Sequence, residues 1–306
     1  MGTMFNVKVV FDEPKSENRI LELQNGTQDA LDQVDRLMST YKKNSEVSQI
    51  NRLEIDKPLK VSDQTIEVLS FSQAISEQTF GYFDITVAPL IDLWGFGSGE
   101  ITDKKPDQHD IESALNSLGW KSLSIARETS TLSKNKAVQI DLSAIAKGYA
   151  VDQVADYLNS QAIVNYMIEV GGELVVAGVN PNSAPWRLGI EQPDFGGRKA
   201  YTSVMLNKGG LATSGDYRNY FEQDGTRYSH TIDPRTGYPV KHKLASVSVI
   251  AQTCMEADAL ATALMVMGEV KGYQFALAQG ISAYFIYREG AEFVSKSTPE
   301  FERFLN

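Results

Sequence analysis

His230-Thr231-Ile232-Asp233-Pro234-Arg235-Thr236-Gly237-Tyr238-Pro239, followed further along by Ala257-Asp258-Ala259-Leu260-Ala261-Thr262, is the pair of segments on which the reading of this chain turns. The first places a histidine just before a turn built on Pro234 and Gly237. The second, if helical, sets Asp258 and Thr262 one turn apart, so that both oxygens share one helix face. Histidine changes charge near neutral pH, and a carboxylate with a hydroxyl offers two hard ligands to an octahedral Mg2+. Together they suit metal-assisted phosphoryl chemistry. Each half also has a plainer reading: a helical Thr bonded to its own backbone beside a surface Asp, and a hydrogen-bonded structural histidine.

Working outward, the chain has 306 residues, 42% hydrophobic and 22% charged, an ordinary globular composition with enough apolar residues for a sizeable core. Its net charge of -10 argues against a nucleic-acid binder, whose footprint is a basic patch. The same charge makes a phosphorylated ligand depend on a local cation, and a bound divalent metal is one source. Cys254 is the single cysteine, so no intrachain disulfide forms, and it is expected simply to pack. Apolar runs such as Leu260 to Met267 are too short to cross a bilayer, and Met1 to Phe11 reads as a strand without a basic leader.

Alternation over Met4 to Phe11 predicts a first strand, and Leu31, Val34, Leu37, Met38 and Tyr41 fall at helical spacing. A second helix is expected over Gln64 to Gln78, an aromatic connector over Tyr82 to Gly99, and a helix over Asp110 to Leu118. Lys121 to Ile125 and Val138 to Leu142 read as a strand pair around the polar turn Ser133 to Lys136. Ser143 reads as the cap of a helix from about Ala144 to Asn159. Strands are expected at 166–170, 173–179, 186–190, 204–207, 228–232, 247–250 and 281–287, helices at 255–268 and 270–279, and a short one near Pro299. Helices and strands mix without a strict βαβ repeat, which predicts an α+β unit, 1–306 as a single domain, with two lobes meeting at the motif loops.

The usual nucleotide signatures are absent. Gly95-Phe96-Gly97-Ser98-Gly99 follows no convincing strand and reads as a turn, and His109 and His242 lie in charged stretches and read as surface residues. Asp141-Leu142-Ser143-Ala144-Ile145-Ala146-Lys147-Gly148 joins a strand end to a helix start, where free amides and the helix dipole favour phosphate and Lys147 adds a charge. A plain helix cap with a solvated lysine is the alternative.

Taken together these segments resemble the ApbE family of flavin transferases. The resemblance runs through Met1-Gly2-Thr3, Ser39-Thr40-Tyr41, Ser45 to Asn51, Gly81 to Gly97, Asp141 to Asp152, Gly171-Gly172-Glu173, Thr213 to Arg218, His230 to Pro239 and Ala257 to Thr262, nearly the whole chain. It implies mixed, largely antiparallel sheets with helices in a two-lobed, T-fold-like domain. It implies Mg2+ and FAD: the enzyme splits the FAD diphosphate, attaches FMN by a phosphoester to a Thr or Ser of a target flavoprotein, and releases AMP. By the same resemblance, the metal ligands are Asp258, Thr262 and the backbone oxygen of Ala144, and the nucleotide touches Met1, Tyr41, Tyr82, Phe83, Asp84, Asp141, Lys147 and Ile232. His230 is the implied base and Lys147 the second catalytic group; for Phe83, core packing is the other reading. Two competing functions are an Mg2+-dependent FAD diphosphatase and a non-catalytic FAD carrier. The resemblance further suggests a periplasmic lipoprotein, attached to the membrane only through a lipid anchor absent from this chain, with a cytoplasmic location as the alternative.

Overall fold

In the computed structural model, residues 2–97, 104–193, 199–216, 220–223, 225–290 and 292–305 are described. Strand β1 (Phe5–Val9) leads into helix α1 (Glu17–Met38), followed by α2 (Glu46–Arg52), the short β2 (Leu59–Lys60), α3 (Asp63–Gln78), α4 (Ala88–Leu93) and α5 (Gln108–Ser117). The hairpin of β3 (Leu123–Ala126) and β4 (Thr131–Lys134) precedes α6 (Ala146–Ser160). Then come β5 (Tyr166–Val170), β6 (Glu173–Ala177), β7 (Trp186–Glu191), β8 (Ala200–Leu206) and β9 (Lys208–Gly215). The last part holds β10 (Tyr220–Gln223), β11 (Thr226–Ser229), β12 (Ile232–Asp233), β13 (Tyr238–Pro239), β14 (Leu244–Ala251), α7 (Cys254–Gln279), β15 (Ser282–Glu289), β16 (Glu292–Ser297) and α8 (Pro299–Glu302).

Seven strands form one antiparallel sheet in the order β1-β5-β6-β9-β14-β15-β16. Side chains alternate across a strand, and here both faces are covered. Tyr166, Ile168, Val247, Val249, Ala283 and Phe285 point to the face packed by α1, α6 and α7. Met167, Ile250, Tyr284 and Ile286 point to the other, where the β7–β8 hairpin and Phe301 of α8 close over them. A third apolar cluster, with Leu90, Trp94, Ile111, Phe221, Tyr228 and Ile232, stands apart and forms a smaller lobe from α4, α5 and the β10 to β13 segment. The largely antiparallel α+β architecture expected from the sequence is the one observed.

Several local expectations need correction. Strand β9 is central in the sheet, where no strand was expected. Its glycines serve packing: a Cβ on Gly210 would sit 2.5 Å from the Cys254 backbone, so only glycine lets α7 start against this strand. Helix α1 starts at Glu17, capped by Ser16, well before Leu31, because its first half is mostly polar and hides the period. The partner of β3 is Thr131–Lys134, where a turn was expected, and 138–142 contributes only an isolated bridge from Gln139 to Val87. Ser143 does not cap α6; the cap position is Ile145 and makes no side-chain hydrogen bond. The 82–99 connector contains α4, and α2, β10 and β16 were not expected at all. The two late helices are present as expected: the backbone leaves helical geometry at Gly268, φ 81, so α7 is two helices meeting at a kink. No helix among the described residues is long and apolar enough to cross a membrane.

Candidate functional site

Between the sheet, the first turn of α6, α7 and the smaller lobe lies a cavity of about 720 Å3, within the size range of small-molecule sites. Tyr41, Tyr82, Phe83, Asp84, Asp141, Ala144, Lys147, His230, Ile232, Asp258 and Thr262 all line it. They come from segments far apart in the chain, so their convergence is a product of folding. Met1, the remaining expected contact, lies outside the described residues.

The polar floor is built where α6 crosses α7. Gly148 permits the crossing, since a Cβ there would stand 2.4 Å from the Cys254 carbonyl oxygen. At this crossing the Gly148 N–H donates to Asp258 Oδ2 at 2.9 Å, which holds the carboxylate in one orientation inside the cavity wall. Asp258 is 3% exposed. Its other oxygen faces the Lys147 ammonium at 3.6 Å, and Lys147 is in direct contact with Oε1 of Glu173. Thr262 Oγ1, one turn beyond Asp258, lies 3.3 Å from Ser214 Oγ on β9. Thus the helical spacing read from Asp258 and Thr262 does bring both oxygens to one cavity.

Charge here is buried, with one ammonium between two carboxylates. Burial works against the Lys147 charge, yet Asp258 and Glu173 outweigh it and hold the ammonium above its ordinary range. Lys147 is therefore a permanent cation and not a proton carrier at neutral pH. Burial pushes the Glu173 carboxyl up, with Lys147 pulling against it. Glu173 appeared in the sequence only as part of a Gly-Gly-Glu match, and nothing in its local pattern announced a partner on α6.

Asp152, about one turn of α6 beyond Gly148, fixes where α7 begins. Its carboxylate accepts from the Cys254 and Met255 N–H groups, each at 2.8 Å, satisfying donors a helix start leaves open. Burial pushes this acid up to about 7, against about 3.9 for an unfolded Asp. A raised acid binds its proton more tightly when folded, so its stabilising contribution is present below about pH 4 and is lost as pH rises towards about 7. Asp152→Asn imitates the protonated acid at every pH. Its melting temperature should accordingly fall less than that of the wild type between pH 5 and pH 8, and an unchanged difference in thermal melts would count against this assignment.

The aromatic side of the cavity divides into two kinds of residue. Tyr41 is 75% exposed and stands at the rim. Phe83 is 2% exposed and belongs to the main core, so it forms wall and does not offer a stacking face. Tyr82 presents one face to the Arg235 guanidinium, 3.3 Å from the ring centroid, and Arg235 is held by two contacts to Asp233 at 2.9 and 2.7 Å. This Tyr82-Arg235-Asp233 stack was not foreseen; it ties the aromatic wall to the turn after His230. Asp84 accepts from the Thr86 N–H at 2.7 Å and from its hydroxyl at 2.6 Å, and burial pushes its carboxyl up in spite of those bonds.

His230 occupies the bend between β11 and β12, with its ring 6.3 Å from Phe96 in an edge contact. Asp233 is committed to Arg235 and is no rival as a base. Of the other histidines, His109 is on the surface as expected, but His242 is not. Its Nε2 lies 2.7 Å from the Met265 carbonyl oxygen beside the Gly268 kink, and burial lowers its pKa. A charged neighbourhood in sequence misled here, because the helix kink provides a local partner.

The residues that the resemblance implies as cation donors, Asp258, Thr262 and Ala144, all line this cavity. No group of three or more His, Cys, Asp or Glu side chains suited to a metal occurs among the described residues. A set with a single carboxylate suits Mg2+, which keeps several waters and takes one or two carboxylates plus substrate phosphates.

Comparison with known proteins gives a consistent result. The profile of the ApbE family matches residues 1–285. A protein of Vibrio cholerae named FAD:protein FMN transferase is 41% identical over 307 residues, covering 100% of this chain and 91% of its own length. One of the same name from Haemophilus influenzae is 40% identical, with 99% and 89% covered. Among solved structures, the flavin transferase ApbE from Vibrio cholerae superposes with a TM-score of 0.90 at 40% identity, covering 100% of this chain and 96% of that one. The apo form of the Pseudomonas stutzeri flavinyl transferase ApbE gives 0.89 at 40% identity, with 99% and 94% covered.

Proposed function

Because this chain belongs to the ApbE family, we propose that it is an FAD:protein FMN transferase that joins FMN to a Thr or Ser hydroxyl of a target flavoprotein and releases AMP. The observation that carries this reading is that a single cavity holds the cation Lys147, the hard donors Asp258 and Thr262, the imidazole of His230 and the aromatic side chains of Tyr41 and Tyr82. A dinucleotide diphosphate needs the first two, a hydroxyl nucleophile the third, and flat rings the last.

In this mechanism the acceptor oxygen bonds to the FMN-side phosphorus as that phosphorus loses its bond to the AMP oxygen, in line. The electron pair of the broken bond leaves with AMP. The hydroxyl proton passes to a ring nitrogen of His230, the side-chain type suited to take up a proton near neutral pH. Lys147 stays charged throughout and draws the phosphate oxygens to the start of α6. Tyr82, braced from behind by Arg235, keeps its free face for the nucleotide. Asp258, Thr262 and the Ala144 carbonyl would hold Mg2+, which when bound supplies positive charge to the phosphate oxygens.

Intact-mass analysis tests this directly. A threonine-bearing acceptor domain incubated with the protein, FAD and Mg2+ is expected to gain the mass of FMN less water, with AMP formed in equal amount. AMP and free FMN without a mass gain would make the protein a diphosphatase, and unchanged FAD would make it a carrier.

A further inference from the structure

Lys147 reaches two carboxylates but treats them unequally. It is in direct contact with Glu173 Oε1, whereas Asp258 Oδ1 lies at 3.6 Å, outside hydrogen-bond reach. The inequality is built into the backbone. Gly171 and Gly172, at φ 68 and 112, close a two-residue turn between β5 and β6 and set Glu173 opposite Val170 in the ladder. Asp258 is in turn anchored from the far side by the Gly148 N–H. Glu173 is 3% exposed, and its second oxygen, Oε2, has no hydrogen-bond partner among the described residues. Among the described residues, the Lys147 ammonium is the cation that offsets this buried carboxylate.

We infer that Glu173 is a positioning residue that holds the Lys147 ammonium away from Asp258 Oδ1 and so keeps that oxygen available to a divalent cation. This inference rests on the reading of Asp258 as a cation ligand. Without Glu173, the ammonium has one remaining carboxylate within reach, and it closes on Asp258. Lysine and metal then compete for the same oxygen.

The test is a double-mutant cycle read by cation binding, not by turnover: Mn2+ titrated by EPR into the flavin-free full chain. Glu173→Gln preserves volume and is expected to weaken Mn2+ binding by about tenfold or more. In a Lys147→Met background there is no ammonium to release, so adding Glu173→Gln should change the affinity by less than about twofold. Equal weakening in both backgrounds would make Glu173 a direct ligand or a general field effect and overturn the inference, as would an unaltered affinity in the single variant. If the wild type took up no Mn2+, or Asp258→Asn bound it as well as the wild type, the cation assignment at Asp258 would fall and the inference with it. The first two results leave that assignment standing, so the two failures can be told apart. Glu173→Ala, with the same Lys147→Met partner, replaces Glu173→Gln if the latter does not fold.

Discussion

His230→Ala is expected to lower FMN transfer by about 100-fold or more, the usual range for losing a general base, while FAD affinity changes by no more than about twofold. The separation of the two effects follows from position. The ring sits at the bend between β11 and β12, on the smaller lobe, whereas the groups placed to hold phosphate lie on α6 and α7. Deleting it removes a proton acceptor needed only as the hydroxyl attacks. The loss of about 100-fold corresponds to about 2.7 kcal/mol of transition-state stabilisation. Single-turnover AMP release and flavin fluorescence titration measure the two quantities side by side. Turnover near the wild-type rate would remove His230 from the mechanism, and a parallel collapse of FAD binding would make it a structural or nucleotide-binding residue. The fold should tolerate the change, because the bend is held by the turn from Asp233 to Gly237 and by the Trp94 indole N–H bonded to the Gly237 carbonyl at 2.8 Å.

Asp258→Asn is expected to cost still more activity, about 1000-fold, because it removes the one carboxylate among the assigned cation ligands and with it the means of neutralising phosphate charge. Its stability should move little or rise. The amide oxygen of Asn still accepts from the Gly148 N–H, and the buried set of Lys147, Glu173 and Asp258 changes from two negative charges against one positive to a balanced pair. Activity lost with the melting temperature kept is thus the expected signature, of the kind found where a site is held at the expense of stability. AMP release across a Mg2+ titration and a thermal melt of the same preparation decide it. An unaltered metal titration would place the cation elsewhere, and a large drop in melting temperature would mean that the carboxylate serves the α6–α7 crossing more than the chemistry.

Much of the site was legible along the chain. The i and i+4 placement of Asp258 and Thr262 needs only the 3.6-residue helical period, and the turn after His230 needs only Pro234 and Gly237. The overall class followed from alternation and helical spacing in the same way, since Tyr166 to Val170 and Val247 to Ile250 carry it openly. Failures cluster where a residue answers to something distant. Lys208 to Gly215 shows no open strand pattern at its start, where Gly210 makes room for α7. The first half of α1 hides its period behind polar residues. His242 looks solvated until the kink at Gly268 offers it a carbonyl.

The amino-acid sequence by itself determined which chemistry was present: an imidazole, a carboxylate and hydroxyl on one helix face, and a lysine at a helix start. Tertiary structure alone decided the partnerships: Lys147 with Glu173, Asp258 with the Gly148 amide, and Arg235 on Tyr82. The physical reason is one of range. Backbone geometry imposes its periods over a few residues and can be read locally, whereas which side chains meet across a cavity depends on how a seven-stranded sheet and two crossing helices pack, and that follows from the core as a whole.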